Sequence, residues 1–214
     1  MKMETKSRYI TFSKVFVFSS CLFILSGCSS RHNNHMKDYV YKADPAFRYE
    51  IEETYKADGW TEYRVKMVSG TWLTKQEVNH TEWWHWVTIV VPDEVAETEA
   101  LVIIGGGSTR DKEPEAANEL LIQAAVETKS IIAEISNVPF QPLNYVGDEK
   151  DDRTEDDIIA YGWRKYLEGG AKDEDVEWLA RLPMTRAVVR AMDVIQEIGA
   201  DISKPVDGFV VAGA

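Results

Sequence analysis

The stretch Gly208-Phe209-Val210-Val211-Ala212-Gly213-Ala214 decides how the fold of this chain is interpreted. Its apolar run predicts a strand. The Gly-X that follows is typical of the start of a nucleophile elbow, G-x-S-x-G, in which a serine lies on a strained turn between a strand and a helix. Gly213 and Ala214 would supply the Gly and the X. We therefore expect a chain that is cut just before its reactive serine and contains no catalytic side chain.

The elements predicted upstream of this stretch change in kind along the chain. Alternating apolar residues around the turn at Ala57-Asp58-Gly59 predict an antiparallel hairpin. Short apolar strands then alternate with amphipathic helices, which is typical of a parallel sheet with crossover helices. The predicted elements are a hairpin (47–69), strands (83–91, 101–104, 130–135, 206–211) and helices (114–127, 154–167, 184–198), the second helix opened by a capping box at Thr154. This order predicts an α/β fold resembling an α/β-hydrolase, C-terminally truncated.

Gly105-Gly106-Gly107-Ser108 directly follows the apolar strand at 101–104. In α/β-hydrolases the loop after the corresponding strand donates a backbone N–H group to the oxyanion hole. Glycine lets the backbone approach the substrate closely and aim its N–H groups at developing negative charge. Gly105, Gly106, Gly107 and Ser108 are therefore oxyanion-hole candidates, with a flexible turn as the alternative. A dinucleotide fingerprint is excluded, because Arg110 occupies the last glycine position of G-x-G-x-x-G.

Two other groups of residues have side chains that could bind a metal ion, but for both we predict a structural role. His85, in Trp83-Trp84-His85-Trp86, is separated from His80 by a spacing that is not typical of zinc sites, so we predict a hydrogen-bonded structural histidine. The charged run at 148–157 lacks the spacing and the central glycine of a calcium-binding loop, and it predicts a solvated loop that leads into a helix. We expect no metal and no cofactor.

The N-terminus predicts a lipoprotein signal peptide over residues 1–27. Basic residues precede an apolar run at 15–25 that is too short to span a bilayer, and Leu25-Ser26-Gly27-Cys28 resembles a lipobox. Cys28 would carry the lipid, residues 28–46 would form a tether, and residues 47–214 would form the N-terminal part of the hydrolase-like domain. Ser29 after the cysteine favours the bacterial outer membrane. The alternative is an ordinary signal peptide with a chance cysteine.

Charge and cysteine content limit the partners of the chain. Lys and Arg number 24 against 36 Asp and Glu, and the net charge of −12 argues against nucleic acid or an anionic membrane surface as a partner. Cys21 lies in the predicted signal peptide and Cys28 is the predicted lipid site, so no thiol remains for a disulfide, a zinc site or a nucleophile. We expect attachment to a membrane through the lipid, and a small-molecule or peptide substrate of unknown identity.

Seven segments of the chain together carry a resemblance to one protein family. They are Gly59-Trp60-Thr61-Glu62-Tyr63, Trp84-His85-Trp86, Ile104-Gly105-Gly106-Gly107-Ser108, Val138-Pro139-Phe140-Gln141-Pro142-Leu143, residues 155–163, Pro183-Met184 with residues 189–193, and residues 209–214. In combination they resemble the PhoPQ-activated pathogenicity-related proteins.

This resemblance implies a serine α/β-hydrolase fold whose elbow continues Ser-Lys-Arg-Gly after Gly213 and Ala214. The intact protein would then be a serine hydrolase acting on an ester or amide of unknown identity, and the present chain would be inactive. Only the loop at Gly105 to Ser108 has a matching functional position. The family also includes secreted autocrine proliferation repressors, so a non-catalytic binding or signalling factor on the same scaffold is the alternative.

Overall fold

A six-stranded mixed sheet is the centre of the computed structural model, which describes residues 34–213. Its strands, in the spatial order β1-β2-β3-β5-β4-β6, are β1 (Arg48–Lys56), β2 (Trp60–Thr71), β3 (Glu82–Pro92), β4 (Glu99–Ile104), β5 (Ile132–Ile135) and β6 (Gly208–Gly213). The helices are α1 (His35–Tyr41), α2 (Glu119–Thr128), α3 (Glu155–Glu168) and α4 (Arg181–Asp201), with a 3₁₀ helix at Asp173–Trp178. The predicted signal peptide, Cys28 and Ala214 lie outside the described residues.

Strand direction changes across the sheet. β1, β2 and β3 pair antiparallel, and β3 also pairs antiparallel with β5. β4 pairs parallel with both β5 and β6. Parallel neighbours need a crossover connection, which α2 supplies between β4 and β5. The chain then passes from β5 through α3 and α4 to β6, which lies on the other side of β4. The hairpin, the later strands and the mixed α/β class are confirmed.

The core lies on both faces of the sheet because neighbouring residues of a strand point to opposite sides. On β3, Ile89 belongs to the cluster that packs beneath α4, whereas Val90 packs with Ala125 of α2. One stripe of α4 is buried against the sheet at the 3–4 spacing that the sequence predicts: Ala187, Ala191, Val194, Ile195 and Ile198. No helix among residues 34–213 is long and apolar enough to cross a bilayer.

Residues 35–46 differ from the prediction of a tether. The structure has helix α1 there, with Val40 buried, and an ion pair of 3.2 Å joins Asp44 to Arg186 of α4. The segment is polar in composition, and its partners lie more than 25 residues away, so no local pattern could indicate that it packs. This corrects the predicted boundary: residues 35–46 belong to the folded unit.

The start of α2 and the capping of α3 also differ from the prediction. Helix α2 begins at Glu119 rather than Pro114, and the side chain of Asn118 caps it by accepting from the Leu120 N–H. The preceding residues are held by β2 instead, since Glu62 accepts a hydrogen bond from the Ala117 N–H. At α3 the Thr154 side chain makes no capping bond, so the predicted capping box is not formed.

Candidate functional site

A cavity of about 370 Å³ lies where β4 and β6 end. The last residue of β4, Ile104, pairs with the last residue of β6, Gly213, and both line the cavity together with Gly106. The loop after β5 and the first two turns of α3 and α4 complete the wall through Val138, Pro139, Glu155, Asp156, Ile159, Arg181, Met184, Thr185 and Val188. In open α/β sheets, ligands bind in the crevice outside the carboxyl ends of the strands. The sequence-predicted glycine loop and the predicted elbow glycine therefore meet in one cavity.

The four backbone N–H groups of the glycine loop differ in what they bind. The Gly105 N–H donates to the Ile135 carbonyl at 2.8 Å, and the Ser108 N–H donates to Asp111 Oδ2 at 2.7 Å. Within residues 34–213, the N–H groups of Gly106 and Gly107 have no acceptor. The oxyanion-hole prediction thus narrows from four residues to these two glycines.

The loop after β5 fixes the orientation of the glycine loop. The Asn137 N–H donates to the Gly106 carbonyl at 2.6 Å, and the Val138 N–H donates to the Gly105 carbonyl at 3.2 Å. In a trans peptide the N–H points away from the carbonyl of the same peptide unit. The N–H groups of Gly106 and Gly107 are consequently directed away from residues 137–138 and left available. Gly107 has φ +114°, a conformation that favours glycine.

Gln141 joins the glycine loop to the start of α3. Its Nε2 donates to the Gly107 carbonyl at 2.7 Å and to Glu155 Oε1 at 3.2 Å, while its Oε1 accepts from the Glu155 N–H at 2.7 Å. The residue is buried. Sequence reasoning assigned no role to Gln141 or Asn137. The available signal was a pair of amide side chains within a proline-rich loop, since buried amides need partners.

His85 contacts the start of the loop that follows β5. Its Nδ1 lies 3.2 Å from the Ser136 carbonyl and its Nε2 lies 3.0 Å from Ser69 Oγ. Because a carbonyl can only accept, Nδ1 carries the proton and Nε2 accepts from the serine hydroxyl. Burial lowers the pKa of His85 to about 4 against the opposing effect of backbone hydrogen bonding at Ser136 and Asn137, so the ring is neutral at pH 7. The prediction of a hydrogen-bonded structural histidine is confirmed.

Charges of both signs line the cavity. Glu155 and Asp156 begin α3, and Arg181 begins α4. Among residues 34–213 no group of three or more His, Cys, Asp or Glu side chains is placed to hold a metal ion. Among the described residues, the cavity lining therefore offers one free backbone donor, the Gly106 N–H, together with one guanidinium and two carboxylates for interactions with a ligand.

Comparison with known proteins gives one family and a few relatives. The family model described as PhoPQ-activated pathogenicity-related protein matches residues 36–214. Autocrine proliferation repressor protein A of Dictyostelium discoideum is 34% identical over 194 residues, which cover 90% of this chain and 38% of that protein. The chain thus spans less than half the length of this relative.

Two solved structures are similar at low identity. A "putative acetyl xylan esterase" from Bacteroides fragilis is 14% identical with a TM-score of 0.44, over 83% of this chain and 44% of that one. The glucuronoyl esterase from Solibacter usitatus is 14% identical with a TM-score of 0.27, over 67% of this chain and 49% of that one.

Proposed function

The chain belongs to the PhoPQ-activated pathogenicity-related protein family, and we propose that it is part of a serine hydrolase of the α/β-hydrolase type that cleaves an ester or an amide. One observation carries this proposal: Gly106, with a free N–H, and Gly213 line the same cavity at the carboxyl ends of two paired parallel strands. The strand order supports it as well, because antiparallel strands at one edge give way to parallel strands with helical crossovers.

The proposed chemistry places the nucleophile directly after Ala214. A serine on the turn that leaves β6 would attack the carbonyl carbon of the bound substrate. The oxygen of the resulting tetrahedral intermediate would accept hydrogen bonds from the N–H groups of Gly106 and Gly107. His85 is not the base, since it is fully buried and both of its ring nitrogens are engaged in hydrogen bonds. The base and the acid would come from elsewhere in the intact protein.

A fluorophosphonate probe applied to the full-length protein tests the proposal. We expect labelling of the serine after Ala214, and Gly106→Ala should slow it about tenfold or more, because a methyl group in the cavity displaces the reacting atoms. The added Cβ lies 3.4 Å from Glu155 Oε1, an ordinary contact, so the variant should fold. Gly208→Ala is the matched control at the opposite end of β6 and should label at the wild-type rate. Absence of labelling would refute the hydrolase proposal.

A second candidate is a non-catalytic binding or signalling factor on the same scaffold, since a fold does not determine function. The observation that favours it is the name of the 34% identical relative, an autocrine proliferation repressor. This candidate predicts a full-length protein that is not labelled by the probe and whose cavity still binds a ligand.

We further propose that Cys28 is lipidated and attaches the protein to the bacterial cell envelope, in the outer membrane. The order of basic residues, short apolar run and Leu25-Ser26-Gly27-Cys28 supports this. Metabolic labelling with a palmitate analogue should mark the wild-type protein and the Cys21→Ala control but not Cys28→Ala. Equal labelling of the two variants, or none in the wild type, would contradict the proposal.

A further inference from the structure

Arg181 differs from every other arginine of residues 34–213 in its pairing. Seven of the eight arginines in this range have a carboxylate oxygen within 4.0 Å: Arg48, Arg64, Arg110, Arg153, Arg164, Arg186 and Arg190. Within the same described range, Arg181 has none. Its side chain is exposed and lines the cavity that holds Gly106 and Gly213.

An unpaired guanidinium is unexpected in a chain with 36 acidic and 24 basic residues. Arginine presents a planar fork of donors that matches a carboxylate through two parallel hydrogen bonds. We propose that Arg181 is a specificity-determining residue that binds a carboxylate on the ligand of this cavity. The hydrolase proposal would then have a defined substrate class, an ester or amide that also carries a carboxylate. Only this last step rests on the proposed function.

The position of Arg181 in the fold supports binding of an anion. It is the first residue of α4, a helix of 21 residues, and the positive end of the helix dipole adds to the attraction. The hydroxyl of Thr185 donates to the Arg181 carbonyl at 2.8 Å and ties the backbone of this first turn. The guanidinium therefore extends from a regular helix rather than from a loop.

The two carboxylates in the cavity restrict the charge of the ligand. Glu155 is engaged by Gln141, and Asp156 has no ion pair among the described residues. Among the described residues, neither forms an ion pair with Arg181, so the positive and negative groups are separate features of the cavity. Both carboxylates repel an anion, and they repel a doubly charged phosphate more strongly than a singly charged carboxylate. This favours a carboxylate as the ligand group.

Calorimetric titration of the full chain with two probes tests the proposal. The probes are 4-oxopentanoate, which has a carbonyl and a carboxylate, and 4-oxopentanamide, its neutral counterpart. We expect 4-oxopentanoate to bind about two to five times more tightly, as for a partly exposed ion pair, and the preference should weaken as salt is added. Inorganic phosphate should bind more weakly than 4-oxopentanoate.

Three variants test whether Arg181 is the source of the preference for 4-oxopentanoate. Arg181→Gln should abolish the preference and leave the affinity for 4-oxopentanamide unchanged. Arg48→Gln removes the same charge from an exposed arginine on β1 and should retain the preference. Asp156→Asn removes a repelling carboxylate and should increase the preference.

Equal affinity for the two probes, no binding of either, or a preference that survives in Arg181→Gln would overturn the proposal. The test is independent of hydrolysis, because it measures binding alone. A carboxylate preference without fluorophosphonate labelling would support the anion site and refute the hydrolase proposal. Fluorophosphonate labelling without a carboxylate preference would refute only the role of Arg181.

Discussion

Two arginines on helix α4, five residues apart, have opposite environments. Arg186 is 3% exposed, forms an ion pair with Asp44, donates to the Thr71 carbonyl and stacks on the ring of Tyr39. Arg181 is exposed in the cavity, without a carboxylate partner among the described residues. Identical side chains on one helix thus belong to two kinds of region, one in which polar groups bind each other and one in which they remain available to a ligand.

The same contrast appears within the glycine loop. Gly105 and Ser108 use their N–H groups to hold the loop in place, whereas those of Gly106 and Gly107 are left free by the hydrogen bonds that their neighbours make. Buried polar groups are nearly always paired because an unpaired one costs free energy. A free donor at the edge of a cavity is therefore the better indicator of binding, and a paired one is the better indicator of structural support.

The largest expected effect is the difference in stability between the variants Arg186→Leu and Arg181→Leu. Loss of the Arg186 guanidinium leaves Asp44 buried without its cation, and we expect the free energy of unfolding to fall by about 3–5 kcal/mol. Arg181→Leu breaks no ion pair and should change it by less than about 0.5 kcal/mol. Chemical denaturation of both variants measures this. Equal destabilisation would show that the two regions do not differ as described.

His85 should make stability depend on pH. Its pKa in the folded state is about 4, below the value of about 6.5 in the unfolded chain, so the unfolded state binds the proton more tightly. The contribution is fully present above pH 6.5 and is lost as the pH falls towards 4, by about 3 kcal/mol in total. Denaturation at several pH values should show this loss in the wild type and a smaller slope in His85→Gln.

His80→Gln is the control for the pH experiment, since His80 is exposed. It should keep the slope of the wild type between pH 4 and 6.5. The same slope in His85→Gln as in the wild type would indicate that His85 does not titrate differently in the folded state.

The smallest expected effect is the difference in stability between the alanine variants of Gly106 and Gly107, the two glycines with free N–H groups. Gly107→Ala forces a side chain into a left-handed conformation, φ +114°, and should cost about 1–3 kcal/mol in stability. Gly106→Ala meets an ordinary contact and should cost less than about 1 kcal/mol. Thermal or chemical unfolding of the pair measures the difference. A larger cost for Gly106→Ala would indicate that Gly106, and not Gly107, is the conformationally constrained residue of the loop.

The strands and helices of the sheet could be predicted because their signals are local. The alternation in β1 and β2, the apolar runs of β4 and β5 and the 3–4 spacing on α4 each identify an element from its own residues. The glycine loop was located by the same logic, from its place directly after β4. The start of α3 beside Thr154 was predicted, whereas its capping and the start of α2 were not. Long-range acceptors decide these two features: Glu62 accepts from the Ala117 N–H, and Gln141 accepts from the Glu155 N–H.

The sequence by itself determined the mixed α/β class, the family and the placement of glycines after β4 and at the end of β6, because periodicity and short motifs act over neighbouring residues. Only the tertiary structure decided which of four glycine-loop N–H groups stay free, that residues 35–46 pack against α4, and that Arg181 alone among the described arginines lacks a carboxylate. Each of these depends on partners brought together from distant parts of the chain, and no local pattern encodes where such partners meet.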